Sequence, residues 1–438
     1  MKKQKLELLA PAGSPDKMEY AFAYGADAVY MGIPDFSLRV RINKFTLDHV
    51  KKAIDTAHGW EKKIYVTINI YARNEQLEKL PKYLKKLNEW KPDALIISDP
   101  GVMMLAKQYA PDVPIHVSTQ ANVTNWAATK FWADQGVERI ILGREVTLEE
   151  IKQIHKKYPK IELEYFVHGA MCMSYSGRCM LSAWLTGRSA NSGDCAQPCR
   201  WEYKTDQVEK TVFNAELEEP LRPGEKILVE EDMHGTYIFN SKDMCFIEYL
   251  PELIDAGIIS FKIEGRAKSP AYLSSVVKTY KQGFEVVSSK DDLKAKKRKL
   301  RALKKKNLDK LLHRGYTTGF LFGRDTVEQN TVDSHIGGEE QFVGEVLDCV
   351  EINGKNLAIV RAHNALKVGD KIRIMQPPQF CAGQAGEEKD LSVTIKKMYN
   401  SDSEKIDSAH GGTGELVKIL VNKDLKKYSI LFKLESRK

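Results

Sequence analysis

The first two thirds of the chain alternate short apolar runs with amphipathic segments, and this alternation limits the possible folds more than any other feature. Eight apolar runs read as strands buried in a parallel sheet, and most are followed by a segment with helical periodicity. Repeated β–α units in this number favour a TIM-like (β/α)8 barrel over a doubly wound sheet. The predicted strands are residues 6–10, 28–31, 64–68, 94–97, 115–118, 139–142, 163–167 and 259–263; the clearest predicted helices are 15–24, 47–58, 81–90 and 147–157.

Two local signals refine the expected helix boundaries. Gly13-Ser14 provides an N-cap just before the helix predicted over residues 15–24. Pro81 suits the first position of a helix, where its missing N–H costs nothing. We therefore expect the third clear helix to begin at Pro81.

Five of the seven cysteines fall between the seventh and eighth predicted strands. Active sites of such barrels lie at the carboxyl ends of the strands, so Cys172 is expected at the barrel mouth. No secretory signal opens the sequence, which predicts a reducing, cytoplasmic setting, where clustered thiols more often bind metal or act in catalysis than form disulfides. The spacing alone leaves three possibilities, which are an iron–sulfur cluster, a zinc site and unliganded cysteines. The five residues are Cys172, Cys179, Cys195, Cys199 and Cys245.

The sequence around the first cysteines resembles the signature of a known family. Glu164-x-Phe166-x2-Gly169-Ala-Met-Cys172-x4-Gly177-x-Cys179-x-Leu-Ser is similar to the motif of the collagenase-like, or unclassified, peptidases. Further matching stretches are Leu-Leu-Ala-Pro-Ala-Gly-Ser at 8–14, Phe-Asn-Ser-Lys-Asp-Met-Cys at 239–245, Phe-Lys-Ile-Glu-Gly-Arg at 261–266 and Arg-Gly-Tyr-Thr-Thr-Gly-Phe at 314–320. The family includes prephenate-dependent tRNA uridine hydroxylases, which this chain resembles most, an rRNA cytidine hydroxylase and oxygen-independent ubiquinone hydroxylases.

The resemblance implies a 4Fe–4S cluster held by four cysteines. Cys172 and Cys179 match the signature, Cys199 matches the third family ligand, and Cys245 matches the fourth. Cys195 is the alternative to Cys199, because some relatives use a cysteine pair with this spacing. The resemblance also implies prephenate, a dicarboxylate, as the source of the hydroxyl group.

Polar residues at or after the predicted strand ends form a candidate pocket below the cluster. Each one alone is more simply a hydrogen-bonded residue at a barrel rim, but together they suit a small anionic molecule. Arginine in particular pairs with carboxylates through two parallel hydrogen bonds. The candidate catalytic residues are His116, His168, Lys262 and Glu264, and the candidate substrate-binding residues are Arg41, Asn69, Gln120, Arg178 and Arg266.

A lysine-rich helical segment and a β-rich region follow the barrel. The segment at 290–310 is either a solvated helix face or a surface for RNA phosphates, with Lys297, Arg298, Lys304 and Lys305 as the candidate RNA-binding residues. Short alternating strands after about residue 334 predict a small all-β barrel, and Asn353-Gly354 fits a tight hairpin turn. The expected organisation is a barrel over 1–285 with its iron–sulfur-binding region at 164–245, a basic helical linker at 286–333, and a C-terminal β-barrel domain at 334–438.

Composition and motifs narrow the function without deciding it. The formal net charge of +8 is compatible with a nucleic-acid partner, and no apolar run approaches the ~18 residues of a membrane helix. The chain has no Gly-x-Ser-x-Gly elbow and no His-Glu-x-x-His helix, so a peptidase is poorly supported. The resemblance implies a tRNA-modifying hydroxylase that forms 5-hydroxyuridine at the wobble position. A hydroxylase of a small aromatic or quinone precursor and a collagenase-like peptidase are the alternatives.

Overall fold

A closed barrel of eight parallel strands forms the first part of the computed structural model. The structure describes residues 5–34, 36, 45–171, 213–218, 226–232, 235–237, 242–323, 338, 340–352, 354–378, 380–381, 384–385, 390–411 and 414–434. Each barrel strand pairs with the next in parallel, and the eighth strand closes the ring by pairing with both the seventh and the first. The barrel strands are β1 (Glu7–Pro11), β2 (Ala28–Gly32), β3 (Lys63–Ile68), β4 (Ala94–Ile97), β5 (Ile115–Val117), β6 (Arg139–Ile141), β7 (Glu162–Ala170) and β12 (Ile258–Ile263).

A helix follows every barrel strand, which confirms the predicted TIM-like fold. The apolar sides of these helices cover the barrel, and the side chains of Leu80, Leu84 and Leu87 show the expected spacing of three to four residues. The helices are α1 (Pro15–Ala23), α2 (Leu47–Gly59), α3 (Asn74–Trp90), α4 (Pro100–Tyr109), α5 (Trp126–Asp134), α6 (Leu148–Lys157), α7 (Leu250–Asp255) and α8 (Pro270–Ser288).

The predicted helix start at Pro81 is wrong. Helix α3 begins seven residues earlier, at Asn74, and Pro81 lies inside it. Residues 74–80 extend the amphipathic pattern, so Leu80 is buried on the same side as Leu84 and Leu87. Burial of this continuous stripe outweighs the single backbone hydrogen bond that an internal proline removes.

The chain between β7 and β12 adds strands outside the ring. Strands β8 (Phe213–Glu218), β9 (Lys226–Asp232) and β10 (Gly235–Tyr237) form a three-stranded antiparallel sheet. Strand β11 (Asp243–Cys245) pairs antiparallel with the end of β7 and parallel with β13 (Tyr316–Thr317). This arrangement places Cys245 beside the carboxyl end of the seventh barrel strand.

Helix α9 (Leu293–Leu303) carries the lysine-rich segment. A π-helical turn, Lys304–Leu308, continues the same axis. Leu300 and Leu308 are fully buried and anchor the helix on the barrel. Its polar residues lie on the remaining surface.

The C-terminal region is all-β, as predicted. Its described residues form an eight-stranded antiparallel sheet, and no ladder joins its two edge strands, Leu391–Thr394 and Lys405–Ile406. Asn353 lies outside the described residues, but Ile352 pairs with Lys355 and Gly354 has φ of 72°, as the predicted tight hairpin turn requires. The hydroxyl of Tyr24, the residue that follows α1, donates to the Met375 carbonyl at 2.7 Å and ties this region to the barrel. The main sheet contains β14 (Glu340–Ile352), β15 (Lys355–Ala362), β17 (Lys371–Met375), β20 (Leu391–Thr394), β21 (Met398–Tyr399), β22 (Lys405–Ile406), β24 (Leu416–Val421) and β25 (Ile430–Leu434); the short pairs are β16 (Leu366–Lys367) with β23 (Ser408–Ala409), and β18 (Phe380–Cys381) with β19 (Gln384–Ala385).

Candidate active site at the barrel mouth

Four charged side chains fill the lower part of the barrel interior, and we call them the barrel-core network: Glu7, Arg139, Glu164 and Lys262. Arg139 Nη1 donates to Glu7 Oε1 at 2.5 Å and to Glu164 Oε2 at 3.1 Å. Lys262 Nζ donates to Glu164 Oε1 at 2.6 Å. Two carboxylates therefore face two cations in a space closed to water, where an unpaired charge is expensive. Although burial opposes its ionisation, Arg139 holds the pKa of Glu7 below its usual value.

The ammonium group of Lys262 marks the upper end of this network. Its Nζ lies 4.4 Å from the centre of the Tyr30 ring and 5.4 Å from that of Phe166. Burial lowers the pKa of Lys262, the charges of Arg266 and Arg139 act in the same direction, and Glu164 opposes them. A lysine whose charged and neutral forms are brought closer in energy is suited to holding or releasing a proton.

His116 lies on β5 and packs against Tyr65, with 4.8 Å between the ring centres. Its Nδ1 is buried and has no hydrogen-bond partner among the described residues. Burial lowers the pKa of His116 well below its usual value, and Arg139, Lys262 and Lys63 add to this effect. The imidazole is therefore neutral at physiological pH.

Two arginines and Glu264 surround the opening above Lys262. Arg144 Nη2 donates to Glu264 Oε2 at 2.6 Å, and its guanidinium carbon lies 3.9 Å from the centre of the Phe166 ring. The guanidinium of Arg266 lies 5.4 Å from the centre of the Tyr30 ring. Three cations, Arg144, Lys262 and Arg266, thus converge on two aromatic faces at the mouth, an environment that favours an anion.

Two glycines from the family motifs let loops close around this opening. A Cβ on Gly13 would lie 2.2 Å from the carbonyl oxygen of Arg266, so the β1–α1 loop approaches the loop after β12 only without a side chain. Gly169 has φ of 119°, and a Cβ there would meet the Glu264 backbone at 2.9 Å. Both motifs therefore position the residues that follow β12.

The structure brings Asn69 and Gln120 together on the opposite side of the mouth. Asn69 Nδ2 donates to Gln120 Oε1 at 3.2 Å, and Ser118 Oγ donates to the same oxygen at 2.5 Å. The backbone carbonyl of Gln120 accepts from the Tyr71 hydroxyl at 3.1 Å. Both amides are buried, so they form a fixed polar wall.

His168 lies in an aromatic enclosure next to Cys245. The rings of Tyr272, Tyr280 and Tyr316 lie 5.6–5.9 Å from its own, centre to centre. Burial lowers the pKa of His168 to about 3, and His313 and Lys268 act in the same direction. A neutral, enclosed histidine cannot provide the imidazolium that activates the cysteine of a Cys–His peptidase.

Cys245 pairs with His168 across the β11–β7 ladder and is the candidate cluster ligand that the structure describes. Burial raises the pKa of its thiol to about 12, although the Ile247 amide bonds to the sulfur and acts in the opposite direction. Within the described residues there is no group of three or more His, Cys, Asp or Glu side chains suited to a metal ion. Several sequence-predicted residues lie outside the described part of the chain: Cys172, Cys179, Cys195, Cys199, Arg41 and Arg178.

The four predicted RNA-binding residues fall into two groups. Lys297 forms an ion pair with Glu252, and Lys304 pairs with Glu248 at 3.3 Å. Arg298 and Lys305 are exposed and form no ion pair with any described residue. The helix therefore presents two of the four to solvent and turns two toward the barrel.

Sequence reasoning missed the barrel-core network below Lys262. Glu7, Arg139 and Glu164 each sit in or at the end of an apolar strand, and a charge in such a strand was the available signal. Glu164 is also the first residue of the family signature. Its partners come from two other strands, β6 and β12, so only the closed barrel shows what it contacts.

The neutral state of His116 makes stability depend on pH. The pKa of His116 in the folded state lies below its unfolded value of about 6.5. The contribution of neutral His116 to the free energy of unfolding is therefore fully present above pH 6.5 and is lost as the pH falls toward the folded-state pKa. We expect the parent to lose up to about 1.4 kcal/mol per pH unit more than His116→Gln below pH 6.5. Urea unfolding of both proteins between pH 5 and 7.5 measures this, and equal slopes would show that His116 is protonated in the folded state.

Comparison with known proteins identifies the family to which the chain belongs. The model of Peptidase family U32 matches residues 13–331, and that of its C-terminal domain matches residues 339–431. The chain belongs to peptidase family U32, which confirms the resemblance seen in the sequence. Among the described residues, no helix is both long enough and apolar enough to cross a membrane.

Two named relatives span nearly the whole chain, and a third spans most of it. It is 40% identical to tRNA hydroxylation protein P of Escherichia coli (strain K12), an alignment that covers 98% of this chain and 97% of the relative. It is 39% identical to tRNA hydroxylation protein P of Haemophilus influenzae, with coverage of 98% and 96%. It is 33% identical to the 23S rRNA 5-hydroxycytidine C2501 synthase of Escherichia coli, over 73% of this chain and 46% of that protein.

Proposed function

We propose that this protein is a cytoplasmic tRNA hydroxylase that converts the wobble uridine to 5-hydroxyuridine, with a 4Fe–4S cluster as cofactor and prephenate as co-substrate. The observation that carries the proposal is the end-to-end similarity to two relatives named tRNA hydroxylation protein P. The more distant rRNA relative, named for 5-hydroxycytidine, also hydroxylates a pyrimidine.

Cys245 fits a cluster-binding role. A thiol this deeply buried ionises only if a cation compensates the loss of hydration, and iron does so directly. In the antiparallel β11–β7 ladder Cys245 is opposite His168, which precedes Cys172 by four residues in the sequence. We propose Cys172, Cys179 and Cys199, with Cys195 as the alternative to Cys199, as the other ligands. When bound, the cluster would supply electron transfer beside the mouth.

The cations at the mouth suit a dicarboxylate co-substrate. Arg144 and Arg266 provide two guanidinium groups for two carboxylates, and the Phe166 and Tyr30 rings hold them in place. Glu264 pairs with Arg144 and acts as a carboxylate that an incoming ligand displaces. Lys262 lies below them and holds a proton near the reacting atoms. Asn69 and Gln120 form the opposite, polar wall for the uracil edge.

The proposed exchange balances atoms and electrons. Uridine loses the hydrogen on C5 and gains a hydroxyl group, while the co-substrate loses its hydroxyl group and gains the equivalent of that hydrogen. The C–O bond of the donor breaks and the C5–O bond of uridine forms. Uridine is oxidised by two electrons and the donor is reduced by two. No further oxidant is required.

Nucleoside analysis of a deletion strain tests the proposal. We expect bulk tRNA to lose 5-hydroxyuridine and nucleosides made from it, and the parent gene to restore them. Hydroxycytidine in rRNA and cellular quinones, measured in the same cultures, should be unchanged. Unchanged tRNA together with altered quinones would favour the small-aromatic hydroxylase instead.

A further inference from the structure

The whole net charge of the protein is concentrated in one short segment. Residues 290–310 contain eleven lysines and arginines against three aspartates, a net charge of +8 that equals the formal net charge of the full chain. The other residues of the chain therefore carry no net charge. A basic surface confined to one helix forms a local site for a polyanion, whereas charge spread over the surface would mainly affect solubility.

Helical geometry gathers four of these cations on one face, which we call the basic stripe: Lys294, Arg298, Arg301 and Lys305. Their spacing of four, three and four residues places them above one another along α9 and its π-helical extension. All four are exposed, and 74% of the Arg301 side chain is accessible. The stripe is about 16 Å long at the helical rise of about 1.5 Å per residue.

The same helix carries cations that are already neutralised. Lys297 pairs with Glu252, and Lys304 pairs with Glu248 and lies 5.6 Å from the centre of the Tyr316 ring. In the basic stripe, Lys294, Arg298 and Lys305 form no ion pair with any described residue. Arg301 Nε donates to Glu248 Oε2 at 2.9 Å, although most of the Arg301 side chain is exposed. The charge available to a partner is therefore mainly that of the other three stripe residues, together with Lys306, which is also exposed and forms no ion pair with a described residue.

We propose that the basic stripe of α9 binds the phosphate backbone of the tRNA substrate; this inference rests on the proposed function. Leu293, at the start of α9, is the one exposed large apolar side chain of this helix, and between residues 294 and 306 the only exposed apolar side chain is Ala302. A membrane-binding helix needs large apolar residues next to its cations, and a protein interface needs an aromatic or aliphatic anchor. Phosphates need neither, so contacts here position the RNA without reading its bases.

A pair of double variants in the full-length protein tests the stripe. Arg298→Gln/Lys305→Gln removes two stripe charges, and Lys297→Gln/Lys304→Gln removes two neutralised charges from the same helix, with the same change in net charge. We expect the stripe variant to reduce the slope of the logarithm of tRNA affinity against the logarithm of salt concentration by about 1.4–1.8. This change corresponds to about a 25–60-fold loss of affinity at 0.1 M salt. The matched variant should lose less than about threefold, because ion pairs already occupy its lysines.

The outcomes separate this inference from the proposed function. Equal weakening by both variants, or unchanged binding by the stripe variant, would overturn the stripe while the parent still binds tRNA. If the stripe variant lost binding to vesicles of phosphatidylserine and phosphatidylcholine but kept its binding to tRNA, the stripe would be a membrane-binding surface and the inference would be wrong. If the parent itself does not bind tRNA at low salt, the proposed function fails. Far-UV circular dichroism and thermal unfolding verify that both variants are folded.

Discussion

Cys245→Ala is expected to remove most of the iron from protein purified without oxygen. The parent should contain about four irons and four labile sulfides per chain, as a 4Fe–4S cluster requires. Cys245 lies on β11, beside the end of β7, in an enclosure of Tyr280, His168 and Phe246 that excludes water. The other cysteine whose side chain the structure describes in detail, Cys349, lies in the C-terminal sheet and cannot replace the missing thiolate.

Cys349→Ala is the matched control for this experiment. Cys349 is half-buried on β14 in the C-terminal sheet, away from the barrel mouth. We expect this variant to keep the iron, the sulfide and the visible absorbance of the parent. Stoichiometric zinc in the parent, or full iron retention in Cys245→Ala, would rule out the proposed cluster ligation.

Lys262→Met is expected to destabilise the protein by about 3–5 kcal/mol, because it breaks a buried pair and leaves a carboxylate uncompensated. Glu164 is fully buried, and Lys262 and Arg139 are the two cations that pair with its carboxylate. Arg139 also pairs with Glu7. Glu164→Gln should cost less, since a lysine whose pKa is already lowered by burial responds by losing its proton. Urea unfolding at neutral pH measures both free energies.

The double variant Lys262→Met/Glu164→Gln tests the charge balance itself. It leaves Glu7 with Arg139, so the network is neutral again, and we expect it to be more stable than Lys262→Met alone. Lys79→Met serves as the surface control, because the Lys79–Glu75 pair is exposed and its loss should hardly change the unfolding midpoint. A double variant as unstable as the sum of the two single variants would show that charge balance does not govern this network.

The barrel could be predicted because buried parallel strands leave a local signature. The predicted strand at 94–97 matches β4, and the all-β region predicted after residue 334 contains strands such as β17, since continuous or alternating apolar residues are visible within a few positions. The predicted start of α3 at Pro81 was wrong because it rested on a single residue. A proline rule considers one residue, whereas the helix is stabilised by a stripe that extends from Leu80 to Leu87.

The candidate site was only partly predictable, because its contacts join distant strands. His116, Lys262 and Glu264 were identifiable as polar residues at strand ends. The pairing of Glu164 with Lys262 spans 98 residues of sequence, and that of Arg144 with Glu264 spans 120. Similarly, the lysine run did not reveal which cations face the barrel, because their partners Glu248 and Glu252 belong to an earlier segment.

Hydroxylation of tRNA by the purified protein is the most direct test of the proposed function. Protein prepared without oxygen is incubated with tRNA from a deletion strain, with and without prephenate, and the nucleosides are analysed by mass spectrometry. We predict that uridine gains one oxygen atom only when the iron-loaded parent and prephenate are both present, and that Cys245→Ala is inactive. Failure of the iron-loaded parent to add oxygen to tRNA would contradict the proposed function.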